Sequence, residues 1–161
     1  MTRHALELLT DVGGPVCAYL PIGSEPWSAD GVSALRAAGH EVLLPVVPDA
    51  GPLDWAVFDG TLVPGPIGLH EPAGPRLGSG AVRRAAMLLV PALAVDRRGT
   101  RLGRGAGHYD RTLPLVAPGV PVVAVLYDGE LVDRLPAEEH DHAVTAALLP
   151  EGGHTPLGKN G

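Results

Sequence analysis

Apolar positions in this chain come as short runs rather than long helical stripes. Val16 to Leu20 (V-C-A-Y-L), Glu41 to Val47 (E-V-L-L-P-V-V), Met87 to Val95 (M-L-L-V-P-A-L-A-V), Val120 to Tyr127 (V-P-V-V-A-V-L-Y) and Val144 to Leu149 are rich in Val, Leu and Ala. Such runs predict strands buried on both faces, as in a parallel sheet. Pro45 inside the second run predicts an edge or a bulge. Helical signals are fewer. Ser28 or Asp30 can cap a helix that runs through Ala38 and is closed by Gly39. Ser79 to Ala86 predicts a short helix, and His108 to about Val116 another. From Pro48 to Gly80 the chain is dense in Pro, Gly and Asp, with strand-like pieces only at Trp55 to Phe58 and Thr61 to Val63. Asp128 to Arg134 reads as a turn and a short element. Strand, loop and helix alternate, which predicts an α/β fold: a single domain with a largely parallel central sheet flanked by helices. The domain is expected to span residues 1–151, with 152–161 (G-G-H-T-P-L-G-K-N-G) as a loose tail.

Composition sharpens this picture in three ways. Aromatic residues are only 4% of the 161, so the core must rest on aliphatic side chains. Cys17 is the single cysteine, which excludes an internal disulfide, and its apolar neighbours predict a buried, inert thiol. No signal-peptide pattern and no run of about 18 apolar residues occurs, so a cytoplasmic protein without a membrane span is expected. The net charge of -6 argues against a nucleic-acid partner. Yet Arg97, Arg98, Arg101, Arg104 and Arg111, five of the twelve basic residues, fall between positions 97 and 111. An acidic protein with one basic loop is suited to a small anion.

That loop reads R-L-G-R-G-A-G-H-Y-D-R from Arg101 to Arg111. It lies between a predicted strand and a predicted helix, where open α/β sheets usually bind ligands. Gly103, Gly105 and Gly107 would leave backbone N–H groups unobstructed, and the helix would add the positive end of its dipole. Arg101, Arg104 and Arg111 could add charge-assisted bonds to phosphate oxygens. The spacing is neither the dinucleotide fingerprint nor a P-loop, so a phosphate cradle and a plain glycine-rich turn both remain open. Asp110 suits a magnesium ion between carboxylate and phosphate, or an ion pair with a neighbouring arginine.

The segment from Val90 to Arg111, V-P-A-L-A-V-D-R-R-G-T-R-L-G-R-G-A-G-H-Y-D-R, resembles the signature of the 5-formyltetrahydrofolate cyclo-ligase (methenyltetrahydrofolate synthetase) family. Companion pieces follow in that family's order: A-Y-L-P-I-G-S-E-P from Ala18, L-L-P-V-V from Leu43, Trp55, I-G-L-H-E-P from Ile67 and E-E-H-D-H-A-V-T from Glu138. The resemblance covers about residues 16 to 151. It implies an ATP- and Mg-dependent ligase that converts 5-formyltetrahydrofolate to 5,10-methenyltetrahydrofolate with release of ADP and phosphate. It further implies that Arg101, Leu102, Gly103, Arg104, Gly105, Ala106, Gly107, His108 and Tyr109 bind ATP, with Arg104 to His108 also bordering the folate. Leu20 and Glu25 would hold the substrate's pterin end, Asp110 and Asp141 the magnesium, and Arg104 and Asp110 would be catalytic. Partners would then be small molecules only, acting on a monomer or weak homodimer.

Three positions depart from the family pattern. Only Arg3 is basic among the residues before the first predicted strand, where the family usually carries a K-x-x-x-R helix. His108 replaces the first tyrosine of Y-Y-D, and Thr145 the second aspartate of H-D-x-x-V-D. The segment H-A-L-E-L-L is similar to the second half of the family's opening helical material, so the chain is expected to begin late in that helix. The departures leave an alternative of another class: a truncated, catalytically weak folate- or nucleotide-binding paralogue. Glu71 in the E-P turn is left open as a ligand contact, Trp55 is expected in the core, and His140 with His142 lacks a third ligand for a transition metal.

Overall fold

The computed structural model describes residues 1–137 and 142–158. A short helix, α1 (Thr2–Leu8), leads into strand β1 (Val16–Cys17), helix α2 (Ala29–Ala37) and strand β2 (Val42–Val46). Ser28 is the cap of α2: its hydroxyl accepts from the Gly31 N–H at 2.9 Å. Strand β3 (Asp54–Val57) and a small hairpin of β4 (Leu62–Pro64) and β5 (His70–Pro72) follow. After a 3₁₀ turn at Ser79–Arg84 come β6 (Met87–Pro91), β7 (Ala94–Asp96), β8 (Arg101–Leu102) and helix α3 (His108–Thr112). The chain closes with β9 (Val122–Val125), β10 (Leu131–Val132), β11 (Ala146–Leu149) and β12 (Gly153–Pro156). No helix among the described residues is long and apolar enough to cross a membrane.

Seven strands form the main sheet in the order β12-β11-β9-β6-β1-β2-β3. The five inner strands are parallel, and β3 and β12 are antiparallel edges. This is the largely parallel α/β sheet that the buried runs predict. Side chains alternate across it. Cys17, Leu43, Leu88, Val90, Ala124 and Ala147 face the layer that holds Ala81, Val82 and Leu113. Val16, Leu44, Leu89, Val123, Val125 and Leu148 face Ala5 and Leu9 at α1 with Val32 and Leu35 of α2. Each face buries aliphatic surface at about 25 cal/mol per Å², which makes the sheet the stable frame of the molecule. Cys17 and Trp55 belong to this frame, as expected; burial pushes the Cys17 thiol up to about 12, against a small opposing pull from Arg84.

Several boundaries differ from expectation for identifiable reasons. Pro45 is neither at an edge nor at a bulge. The Ala18 N–H donates to the Leu43 carbonyl, so residue 45 addresses the same side of β2, where β1 has already left the sheet. A proline can stand there because no partner asks for its N–H. The run Met87 to Val95 is two strands: β6 ends at Pro91, and β7 pairs antiparallel with β8 and parallel with β10 in a separate sheet. The expected loose tail is also corrected, since residues 153–156 pair with β11 from Leu149↔Gly153 to Ala146↔Pro156. Its turn is fixed by the Asp128 carboxylate, which accepts from the N–H groups of Glu151 (3.1 Å) and Gly152 (3.0 Å).

Gly99 ties the β7–β8 hairpin to the main sheet. Its carbonyl accepts from the Val144 N–H at 2.9 Å, and its φ is +92°. A Cβ at this position would collide with the Val144 carbonyl oxygen. Gly99→Ala should therefore lower stability by more than about 1 kcal/mol, read as a fall in the urea midpoint at unchanged slope.

Candidate active site

A cavity of about 800 Å³ opens beyond the C-terminal ends of β1, β2 and β6. From β1 the chain goes to β2 on one side, and from β6 to β9 on the other, so the cavity lies where the winding direction reverses. Its walls come from the segment after β1, the loop after β2, the β4–β5 hairpin and the glycine loop after β8. Of the sequence-predicted residues, Leu20, Glu25, Arg101 and all of Gly103 to Asp110 line it. Leu102 does not; it is 49% exposed and paired with Ala94 in the β7–β8 hairpin. Asp141 lies outside the described residues.

Arg101 is the electrostatic centre of the site. Its side chain is 7% exposed, its Nε donates to the Pro91 carbonyl at 2.7 Å, and its guanidinium lies 5.0 Å from the centre of the Tyr109 ring. Burial draws its pKa below the ordinary arginine value, opposed by Tyr109, Asp110, Glu25 and Tyr19. It remains a cation throughout the physiological range. The charged partner it holds is poor: Asp110 is 3.7 Å away and 71% exposed. A desolvated cation with a loose counter-ion is an incomplete pair, and an anion in the cavity would complete it. Tyr109 stays a neutral phenol, because burial drives its pKa far up and Arg101 only partly offsets this.

The glycines explain how the arginines come so close to the main chain. A Cβ at Gly103 would lie 2.9 Å from Arg101 Nη1, and one at Gly107 would lie 3.2 Å from Arg111 Nη1. Gly105 has nothing within 4 Å of its Cβ direction, so that stretch of backbone is open. Two glycines thus let guanidinium groups rest on the loop, and the third leaves bare backbone. This is more than a plain turn requires. The helix contributes less than expected. α3 has five residues before it tightens into a 3₁₀ turn at Leu113–Leu115, so its dipole is that of little more than one turn.

His108 and Thr112 fix α3 against the loop after β2. His108 Nδ1 donates to the Gly51 carbonyl at 2.8 Å, because a carbonyl oxygen can only accept. The Leu53 N–H donates to Thr112 Oγ1 at 2.9 Å. His108 is thus a strut of the cavity wall as well as a lining group. Thr145 is structural: its hydroxyl accepts from the Val122 N–H and donates to the Val122 carbonyl, pinning the starts of β9 and β11. Glu25 is partly committed, since one carboxylate oxygen accepts from the Ile22 N–H at 2.5 Å and shapes the turn after β1. Glu71 lines the cavity from β5, and a Cβ at Gly65 would fall 2.7 Å from it.

Tyr19 escapes the sequence reading because it sits inside an apolar run. It lines the cavity, is 2% exposed, and its buried hydroxyl has no hydrogen-bond partner among the described residues. The available signal was its place, the next-to-last residue before the Pro21 turn. For a metal, the described residues offer no cluster of three His, Cys, Asp or Glu side chains. The exposed Asp110 carboxylate fits magnesium, which takes most of its ligands from water and phosphate. A zinc site would need more protein ligands.

A parallel sheet with a buried arginine, a glycine loop and an exposed carboxylate at its switch point defines an α/β protein whose cavity suits a small anionic ligand. Comparison with known proteins narrows this class. The sequence model of the 5-formyltetrahydrofolate cyclo-ligase family matches residues 1–150. A 5-formyltetrahydrofolate cyclo-ligase of Mycolicibacterium smegmatis is 50% identical over 157 residues, 94% of this chain and 81% of the relative. The enzyme of that name from Escherichia coli K12 is 32% identical over 140 residues, 84% of this chain and 77% of the relative. In fold, the chain is similar to the 5,10-methenyltetrahydrofolate synthetase of Aquifex aeolicus, with a TM-score of 0.76 at 24% identity over 99% of this chain and 82% of the other. The chain belongs to the 5-formyltetrahydrofolate cyclo-ligase family. The match includes α1, the helix that carries most of the H-A-L-E-L-L segment.

Proposed function

We propose that this protein converts 5-formyltetrahydrofolate and ATP to 5,10-methenyltetrahydrofolate, ADP and phosphate, with magnesium as cofactor. The observation that carries this reading is the buried, loosely countered Arg101 resting on the glycine loop, in the same cavity as Glu25. Family membership supports this reaction, and the cavity's chemistry suits its two substrates. The bare backbone around Gly105, with Arg101 and Arg104, would hold the polyphosphate, and Leu20 and Glu25 the pterin end. A carboxylate there accepts paired hydrogen bonds from the ring's N–H donors.

In the reaction, the formyl oxygen displaces ADP from the γ-phosphorus of ATP. The neighbouring N10 then closes on the activated carbon, and phosphate departs with the former formyl oxygen as the N10 proton is lost. No protein nucleophile is required, so the residues act by position and charge. Arg101 and Arg104 would stabilise charge on the transferring group, and Asp110 would hold the magnesium. Bound magnesium would neutralise phosphate charge as a Lewis acid. The test is calorimetric titration with a non-hydrolysable ATP analogue. Binding that needs magnesium and weakens at least about tenfold with chelator is expected; no binding under either condition would overturn the nucleotide assignment.

A further inference from the structure

Three buried polar side-chain groups lack a hydrogen-bond partner among the described residues: the Tyr19 hydroxyl, Trp27 Nε1 and Trp55 Nε1. Only Tyr19 also lines the cavity. Buried tyrosine hydroxyls nearly always find a partner, so an orphan on a residue that lines a ligand cavity calls for an account. Its ring cannot simply swing to water. Tyr19 packs on Trp27 with ring centroids 6.5 Å apart at 39°, and Trp27 is itself 6% exposed. The neighbours that act on the phenol electrostatically include Glu25, Tyr109 and Arg101, all of which line the same cavity, as well as Glu130. Burial, reinforced by Glu25, Tyr109 and Glu130 against Arg101, keeps the phenol neutral and therefore a donor.

We propose that the Tyr19 hydroxyl is a substrate-orienting group that donates a hydrogen bond to the carbonyl oxygen of the bound 2-amino-4-oxo ring, beside the Glu25 carboxylate. This rests on the folate reading above. The edge of such a ring presents two N–H donors next to one carbonyl acceptor. A carboxylate serves the donors, and a neutral hydroxyl serves the acceptor. The two groups leave β1 within six residues of each other, on a turn that the Glu25 side chain itself closes onto Ile22. Together they would read one ring edge and exclude rings that lack the acceptor. The hydroxyl is unpaired without ligand and paired with it, so its contribution appears on binding rather than on folding.

Tyr19→Phe tests this with three readings on one pair of proteins. The KM for 5-formyltetrahydrofolate should rise about tenfold, with kcat within about twofold and the KM for ATP unchanged. The thermal midpoint of the unliganded variant should equal or exceed that of the wild type, because no native hydrogen bond is lost. An unchanged folate KM in a wild type that turns over folate would overturn the role of Tyr19 alone. A fall in thermal midpoint with equal changes in both KM values would show a structural hydroxyl and overturn it as well. If the wild type neither binds nor converts 5-formyltetrahydrofolate, the folate reading fails and the inference falls with it.

Discussion

Asp110→Asn should lower the magnesium-dependent turnover of ATP by about 10²–10³-fold while leaving the fold intact, a loss like that from removing one preorganised charge-stabilising group. The carboxylate is 71% exposed, and its ion pair with Arg101 spans 3.7 Å. Exposed pairs of this kind contribute little to stability, so the thermal midpoint should shift by no more than a degree or two. An amide keeps the size of the side chain and removes the anion. The deficit should shrink as magnesium is raised, because a weakened metal site is refilled by mass action. Initial rates across a magnesium series measure this. Full turnover at limiting magnesium would remove Asp110 from the metal site.

Asp96→Ala should cost about 3 kcal/mol of stability, since it strands three backbone donors at about 1–3 kcal/mol each. The Asp96 carboxylate is fully buried and accepts from the N–H groups of Arg98 (3.0 Å), Thr100 (2.9 Å) and Leu135 (2.9 Å). Burial alone would raise its pKa, but these bonds outweigh burial and hold it below the ordinary aspartate value. A carboxyl whose pKa is lowered on folding stabilises the native state above its unfolded value, and that contribution is lost as pH falls through the folded one. The stability difference between wild type and Asp96→Ala should thus be constant above about pH 5 and shrink below about pH 4. Urea denaturation at several pH values reads it. Activity should fall too, because Asp96 organises the hairpin whose second strand carries Arg101.

The sequence was most legible where burial repeats along the chain. The runs at Val42–Val46, Met87–Pro91, Val122–Val125 and Ala146–Leu149 are four of the five inner strands, because a strand covered on both faces must be apolar throughout. It was least legible where main-chain bonds or single carboxylates do the holding. Residues 153–156 (G-H-T-P) carry no apolar alternation, yet Asp128 turns them onto β11. β5 (H-E-P) and the β7–β8 hairpin are likewise fixed by pairing and by Asp96 rather than by hydrophobic pattern. Val16 to Leu20 reads as one strand, but only Val16 and Cys17 stay in the sheet; Tyr19 and Leu20 leave to line the cavity. In the site, glycines and charges could be read from their spacing. The burial of Arg101 and the solitary Tyr19 hydroxyl could not, because both depend on what other segments bring to the same place.

The most direct test of the central claim mixes the protein with 5-formyltetrahydrofolate and MgATP and follows the ultraviolet absorbance of the methenyl product. A rise that requires both ATP and magnesium is the predicted result. No rise, from a sample that binds neither nucleotide nor folate by calorimetry, would contradict the assignment of the glycine loop and of the cavity it borders.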